Sequence, residues 1–220
     1  AASGGGCSQW DNAAKCHSSR VSLLTGLYGD QAGSGSLSRG TTIAEVLGQA
    51  GYSTSMVGKW HLSKEPTDFG FQRYWGHLSG ACNFFTGDNT FRLNGEPYKV
   101  PAELNGRRFY TTHAMGDFAL QFLDEVTTKK DPFLLYVAFN APHYPLHAPE
   151  EDVKKWDGAY DAGWDALRRT RYAKQLKLGI IPEKFKLSPR RAHIPAWKSL
   201  SANERQWEAD RMEVFAAMVE

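Results

Sequence analysis

The sequence predicts an α/β fold, a mostly parallel sheet flanked by helices. Three observations predict it. Thr42 to Val57 has the pattern of helix, short turn and strand, the repeating unit of such folds. Phe133-Leu134-Leu135-Tyr136-Val137-Ala138-Phe139 is a continuous apolar run of strand length, as in a strand buried on both faces of a parallel sheet. Both strands end in residues able to do chemistry: Lys59 and His61 after the first, His143 after the second. Ligands of open α/β sheets bind beyond strand C-termini.

The elements follow in order. Ser18 and Ser19 can cap a first helix, Val21, Leu23 and Leu24 can bury its turns, and Gly26 ends it. A Gly/Ser-rich loop runs from Gly29 to Gly40. Thr42 and Glu45 have capping-box spacing, and Ile43, Val46, Leu47 and Ala50 offer one apolar face before Gly51. Tyr52 to Val57 is a strand, and Gly58 lets the backbone turn. Residues 62–109 are rich in Gly, aromatics and Asn. Phe69 to Phe71 and Tyr74 to His77 are expected to pack that loop over the sheet edge. Thr111 or Thr112 should cap the next helix, with Ala114, Phe118, Ala119, Phe122, Leu123 and Val126 as its buried stripe. After the 133–139 strand, Pro142 and Pro145 stiffen the turn that holds His143. Ala166 to Leu178 is a basic helix whose charges suit a solvated face. Ser201 and Glu204 cap a last helix with Trp207, Val214, Phe215 and Met218 on one face.

Composition excludes several classes. A formal charge of +2 with no basic stripe of interleaved aromatics argues against nucleic acid as a partner. The longest apolar run is too short to span a bilayer, so no membrane role is expected. Cys7, Cys16 and Cys82 cannot all pair, and their spacings match no zinc knuckle. His77 and Cys82 take a structural reading for want of partner spacing. There is no initiator Met and no signal peptide. The pattern stops at Glu220 in mid-helix, so the chain reads as an internal piece of a longer protein.

The chemistry centres on Cys16-His17-Ser18-Ser19-Arg20. A thiol at a helix start faces orphan N–H groups and the positive end of the dipole, and Arg20 lies about one turn on. In isolation the pattern better suits a buried core cysteine before an ordinary amphipathic helix. The longer run, Cys-x-Ser-x-Arg followed by Ser-Leu-Leu-Thr-Gly, resembles the signature of the type I sulfatases of the alkaline-phosphatase superfamily. Gly51 to His61 resembles that family's second signature, Gly-Tyr-x-Thr-x-x-x-Gly-Lys-x-His. Ala-Pro-His-x-Pro-x-x-Ala-Pro from Ala141 resembles the segment whose histidine contacts sulfate, which favours His143 over His147. The likeness runs over nearly all of the chain, residues 1–220, as part of a sulfatase catalytic domain.

That resemblance implies a fold, a reaction and a set of roles. Cys16 would be oxidised to formylglycine by a formylglycine-generating enzyme. One hydroxyl of its hydrate would attack sulfur, and the other would expel sulfate. Arg20 would hold the diol, Lys59 would neutralise a sulfate oxygen, and His61 would help deprotonate the diol. His143 would bind sulfate or protonate the leaving oxygen. The substrate would be a sulfated small molecule or glycan, and the compartment periplasmic or extracellular. The family also holds Ca²⁺, between two Asp before the cysteine motif and an Asp-Asn pair far after it. Asp11-Asn12 and Asp88-Asn89 do not match those places, so the only metal ligand implied here is Cys16 as formylglycine. The isolated chain is then expected to be inactive. Two alternatives are a phosphate or phosphonate ester hydrolase of the same superfamily and a non-catalytic relative that binds sulfated glycan.

Overall fold

The computed structural model describes residues 13–129 and 131–220, and forms two compact units: one that takes in 13–147, one that takes in 148–220. Asp11-Asn12 and Cys7 lie outside the described residues.

In the first unit the core is a five-stranded sheet. Its strands are β1 (Ser53–Gly58), β2 (Arg73–His77), β3 (Phe91–Leu93), β4 (Glu96–Pro97) and β7 (Phe133–Ala138), in the order β4-β3-β2-β1-β7. β1 is parallel to both β2 and β7, and β3 and β4 extend the sheet antiparallel. A separate small hairpin joins β5 (Glu103–Leu104) to β6 (Arg107–Arg108). The period of two along a strand sorts the core. Met56 and Tyr74 face α1 (Cys16–Thr25) and α2 (Ile43–Gln49), where they pack with Val21, Leu24 and Ala44. Val57 and Trp75 face α3 (Thr111–Thr127), where they pack with Met115 and Phe122.

Several expectations need correction. Tyr74 to His77 does not lie over the sheet edge: it is an interior strand, paired on both sides and buried. α1 begins at Cys16 with Lys15 as its N-cap, so Ser18 and Ser19 sit inside the helix. Ser19 Oγ donates to the Ala13 carbonyl instead. Leu23 is exposed. α3 begins after Tyr110 without a side-chain cap, because the Thr111 hydroxyl is spent on the Phe84 carbonyl. The capping box of α2 is present, yet its Ile43 and Val46 are exposed and Ala44 turns inward. There the helix backbone packs closely on Gly70: a Cβ at Gly70 would lie 2.5 Å from the Glu45 nitrogen. β7 is not buried on both faces. It is an edge of the described sheet, and Phe133 is 43% exposed.

The second unit is helical: α4 (Glu150–Val153), α5 (Gly163–Lys177) and α6 (Ala202–Val219). The Ser201–Glu204 capping box starts α6 as expected. Its inward face is not the predicted one. Ala209, Glu213, Ala216 and Ala217 are buried with Met218, while Trp207 is 65% exposed. Small residues let the backbones approach, and Glu213 Oε1 is satisfied by the Gly158 N–H at 2.9 Å.

Candidate active site

Three parallel strands deliver their C-terminal ends to one edge. Lys59 N–H bonds to the Ala138 carbonyl and Trp60 N–H to the His77 carbonyl, both at 2.9 Å, so β1, β2 and β7 stay in register past their last residues. Gly58 makes this possible. Its φ is +108°, and a Cβ there would lie 2.3 Å from the Ala138 oxygen.

α1 brings Cys16 to the same edge. It is the first helical residue and is exposed. His61 Nδ1 lies 3.0 Å from Cys16 Sγ. His61 reaches it through a left-handed turn, φ +57°. Gly80 fixes the far side of that ring: a Cβ there would stand 2.6 Å from His61 Nε2. Lys59 is only 2% exposed and also reaches the Cys16 sulfur. Arg20 donates to the Lys59 carbonyl at 2.5 Å and to the Tyr136 hydroxyl at 3.4 Å.

The electrostatics follow from burial. Desolvation lowers the Lys59 pKa, and Arg20 lowers it further, while the negative form of Cys16 raises it. Burial likewise lowers the Arg20 pKa. His61 is pushed down by desolvation first and then by the charges of Lys59, Arg20, His17 and His143, so it is held neutral at pH 7. Among the described residues neither Lys59 nor Arg20 has a carboxylate within ion-pair distance. Two desolvated cations without an acid are a cradle for an anion, since a buried charge is costly unless paired.

Cys16, Lys59 and His61 thus meet, and Arg20 is anchored on the Lys59 backbone with its charge acting on Lys59 and His61. His143 is exposed at the end of β7, its N–H bonded to the Asn140 carbonyl and its Nδ1 2.6 Å from the Tyr144 oxygen; its charge acts on His61. His147 sits apart from them, its ring 5.7 Å from that of Phe85. His77 is fully buried, and burial pushes its pKa down to about 4. Cys82 is buried under Asn140 Nδ2, with its thiol pushed up to about 12. Three neighbours escaped the sequence reading. His17 stands edge-on to His61 at 6.1 Å, Tyr136 supports Arg20, and Gly80 backs His61. Tyr136 has a faint signal: Leu134, Tyr136 and Ala138 share one strand face, and the last of them meets Lys59.

The donors around Cys16 are nitrogen and cationic, whereas a hard divalent ion wants several oxygens. No group of three or more His, Cys, Asp or Glu suited to a metal occurs among the described residues. Asp88 is already engaged by Ser79 Oγ at 2.6 Å and by Thr90 N–H at 2.8 Å. The described residues therefore do not make a calcium site by themselves.

A sequence model of the family "Sulfatase" matches residues 9–206. An uncharacterized sulfatase of Schizosaccharomyces pombe is 34% identical over 83% of this chain and 35% of its own length. An arylsulfatase of Klebsiella aerogenes is 30% identical over 91% of this chain and 48% of its own. The chain thus spans between a third and a half of these relatives. Among solved structures, Ps i-CgsB bound to k-i-k-neocarrahexaose is 30% identical with a TM-score of 0.54, covering 63% of this chain and 37% of that one. BT4656 bound to its substrate D-glucosamine-2-N,6-O-disulfate is 26% identical with a TM-score of 0.56, covering 67% and 29%. A yidJ protein of Bacteroides fragilis, 15% identical with a TM-score of 0.62, shares the fold over 93% of this chain. The alkaline-phosphatase-like α/β arrangement, the matched family model and these relatives agree: this chain belongs to the sulfatase family.

Proposed function

We propose that the longer protein to which this chain corresponds hydrolyses sulfate esters of a glycan or small aryl compound, with formylglycine derived from Cys16 as its working group. The observation that carries this reading is the pair of acid-free cations, Lys59 and Arg20, beside the exposed sulfur of Cys16. The disulfated glucosamine that is the substrate of one structural neighbour, BT4656, supports the substrate class.

Formylglycine supplies, once hydrated, an oxygen nucleophile that can later let sulfate go without water attacking sulfur. The residues of this chain do the rest. Lys59, desolvated, pairs with a sulfate oxygen and with the charge that grows on it. Arg20 has further N–H donors beyond the one on the Lys59 carbonyl, and these orient oxygens at position 16. His61, kept neutral, accepts a proton at Nδ1 from the group at position 16. His143, solvent-facing, exchanges a proton with the leaving oxygen. A formylglycine-generating enzyme would act before this, in a periplasmic or secretory route. Calcium is implied by the family alone, and no step here is drawn through it.

The test is a peptide mass. Conversion of the Cys16 side chain to an aldehyde lowers the mass by H₂S less one oxygen atom. The full-length protein should then release sulfate from an aryl sulfate faster than phosphate from the matching aryl phosphate. An unmodified thiol from a host able to make formylglycine, or a preference for phosphate, would overturn the reading.

A further inference from the structure

Between residues 166 and 198 ten lysines and arginines stand against one acid, Glu183. The sulfate-ester site uses none of them. In the unit over 148–220 they edge two adjoining cavities. One, of about 220 Å³, has Trp164, Trp197, Arg168 and Arg171 in its walls. The other, of about 370 Å³, has Trp164, Arg168, Arg190 and Arg191. Trp164 and Arg168 form the ridge between them.

The ridge is built rather than incidental. Trp197 is 7% exposed, and its ring meets that of Trp164 edge-on at 4.8 Å. Each indole N–H is satisfied, Trp197 on the Asp161 carbonyl at 3.1 Å and Trp164 on the Pro195 carbonyl at 3.2 Å. Gly163 has φ +74°, and a Cβ there would fall 2.0 Å from the Trp197 ring. Asp165 takes the Trp197 N–H at 3.0 Å and Arg190 at 3.3 Å, while Arg168 donates to the Ser188 carbonyl at 2.7 Å. These contacts fix the aromatic floor and occupy two of the arginines. Arg171 and Arg191 are exposed and have no ion-pair partner among the described residues. Glu208, in the wall of the first cavity, is neutralised by Arg211 at 3.0 Å.

A rigid indole surface takes the apolar face of a sugar ring, and a free guanidinium at its rim takes a sulfate or carboxylate through paired, charge-assisted hydrogen bonds. A flat bilayer would engage protruding groups instead, and exposed Leu178, Ile180 and Phe185 lie outside both cavities. Two small concave sites in series, rimmed by cations, fit a chain of anionic rings. We propose that the cavities on either side of the Trp164–Arg168 ridge bind a sulfated oligosaccharide, with Arg171 and Arg191 holding its sulfates. The ligand class rests on the sulfate-ester reading of the Cys16 site.

The probe is a heparin-derived hexasaccharide, titrated into the 220-residue chain by calorimetry. Binding is expected, with a loss of about tenfold or more in Arg171→Gln/Arg191→Gln, as removal of charge-assisted bonds implies. Unchanged circular dichroism shows that this variant is folded, and Trp164→Phe, which keeps an aromatic floor, should retain most of the affinity. Equal affinity of the double variant overturns the proposal. So does equal binding of the desulfated hexasaccharide, of a DNA duplex of matched charge or of phosphatidylserine vesicles. The full-length protein should also release sulfate from an aryl sulfate, which reads the Cys16 site by itself. If that release is absent altogether while hexasaccharide binding stands, the reading of the Cys16 site fails and the ridge does not.

Discussion

Lys59 carries the sharpest expectation at the scale of single residues. A buried ammonium without a carboxylate is a cost to folding that function must justify. Lys59→Met should therefore raise the stability of this chain by about 1 kcal/mol or more in urea unfolding. In the full-length protein the same change should cut sulfate release about 10²–10³-fold, the usual effect of removing an electrostatic donor. A variant that unfolds more easily would make Lys59 a structural residue. His77 supplies a separate pH signature. Its pKa of about 4 lies below the ordinary 6.5, because burial opposes the charge, with Lys59 and Arg20 adding to this and Asp88 working against it. The unfolded chain then binds more protons between those values. This contribution is complete above pH 6.5 and is lost as pH falls toward 4. Between pH 7.5 and 5.0 it amounts to about 2 kcal/mol. His77→Gln should flatten that part of the stability profile, and an unchanged slope would assign the acid sensitivity to other groups.

Elements show what the sequence could and could not reveal. Capping boxes at Thr42 and Ser201 were legible because a cap is a local match between a side chain and an N–H three residues on. Inward faces were less legible. α2 and α6 turn alanines inward and leave Ile43, Val46 and Trp207 out, because the partner surface is backbone or a small-residue contact that no periodicity records. β2 was missed for a related reason. Tyr74 to His77 is buried all along, so it lacks the alternation that marks a half-exposed strand. Gly58 is the place where an element positions the site. With φ +108° and the Ala138 oxygen 2.3 Å from any Cβ, Gly58→Ala must break the register that seats Lys59. A loss of about 3 kcal/mol is expected, strain and lost pairing together. A variant as stable as the parent in urea would show that the end of β1 yields without cost.

At the scale of the molecule, the residues that meet at the strand ends are remote in sequence: His61 Nδ1 is 3.0 Å from Cys16 Sγ across 45 positions, and Tyr136 supports Arg20 across 116. Spacing within one motif could not reveal such meetings. Parallel topology could, because it gathers the C-termini of β1, β2 and β7 on one edge. The same topology sets a limit on this chain. The gathered groups are a thiol, imidazoles and two cations, and the described residues add no oxygen cluster to them. A hard cation bound here would show itself by mass action, adding about 2.7 kcal/mol of stability at 100 times its Kd. Millimolar calcium should instead leave the urea midpoint of this 220-residue chain where it was. Sulfate release by the same chain should stay at background, whether or not Cys16 is modified, while the full-length protein made in the same host turns over. Cys16-dependent release by the isolated chain, unaffected by a chelator, would show that the cationic cradle of Lys59 and Arg20 suffices by itself.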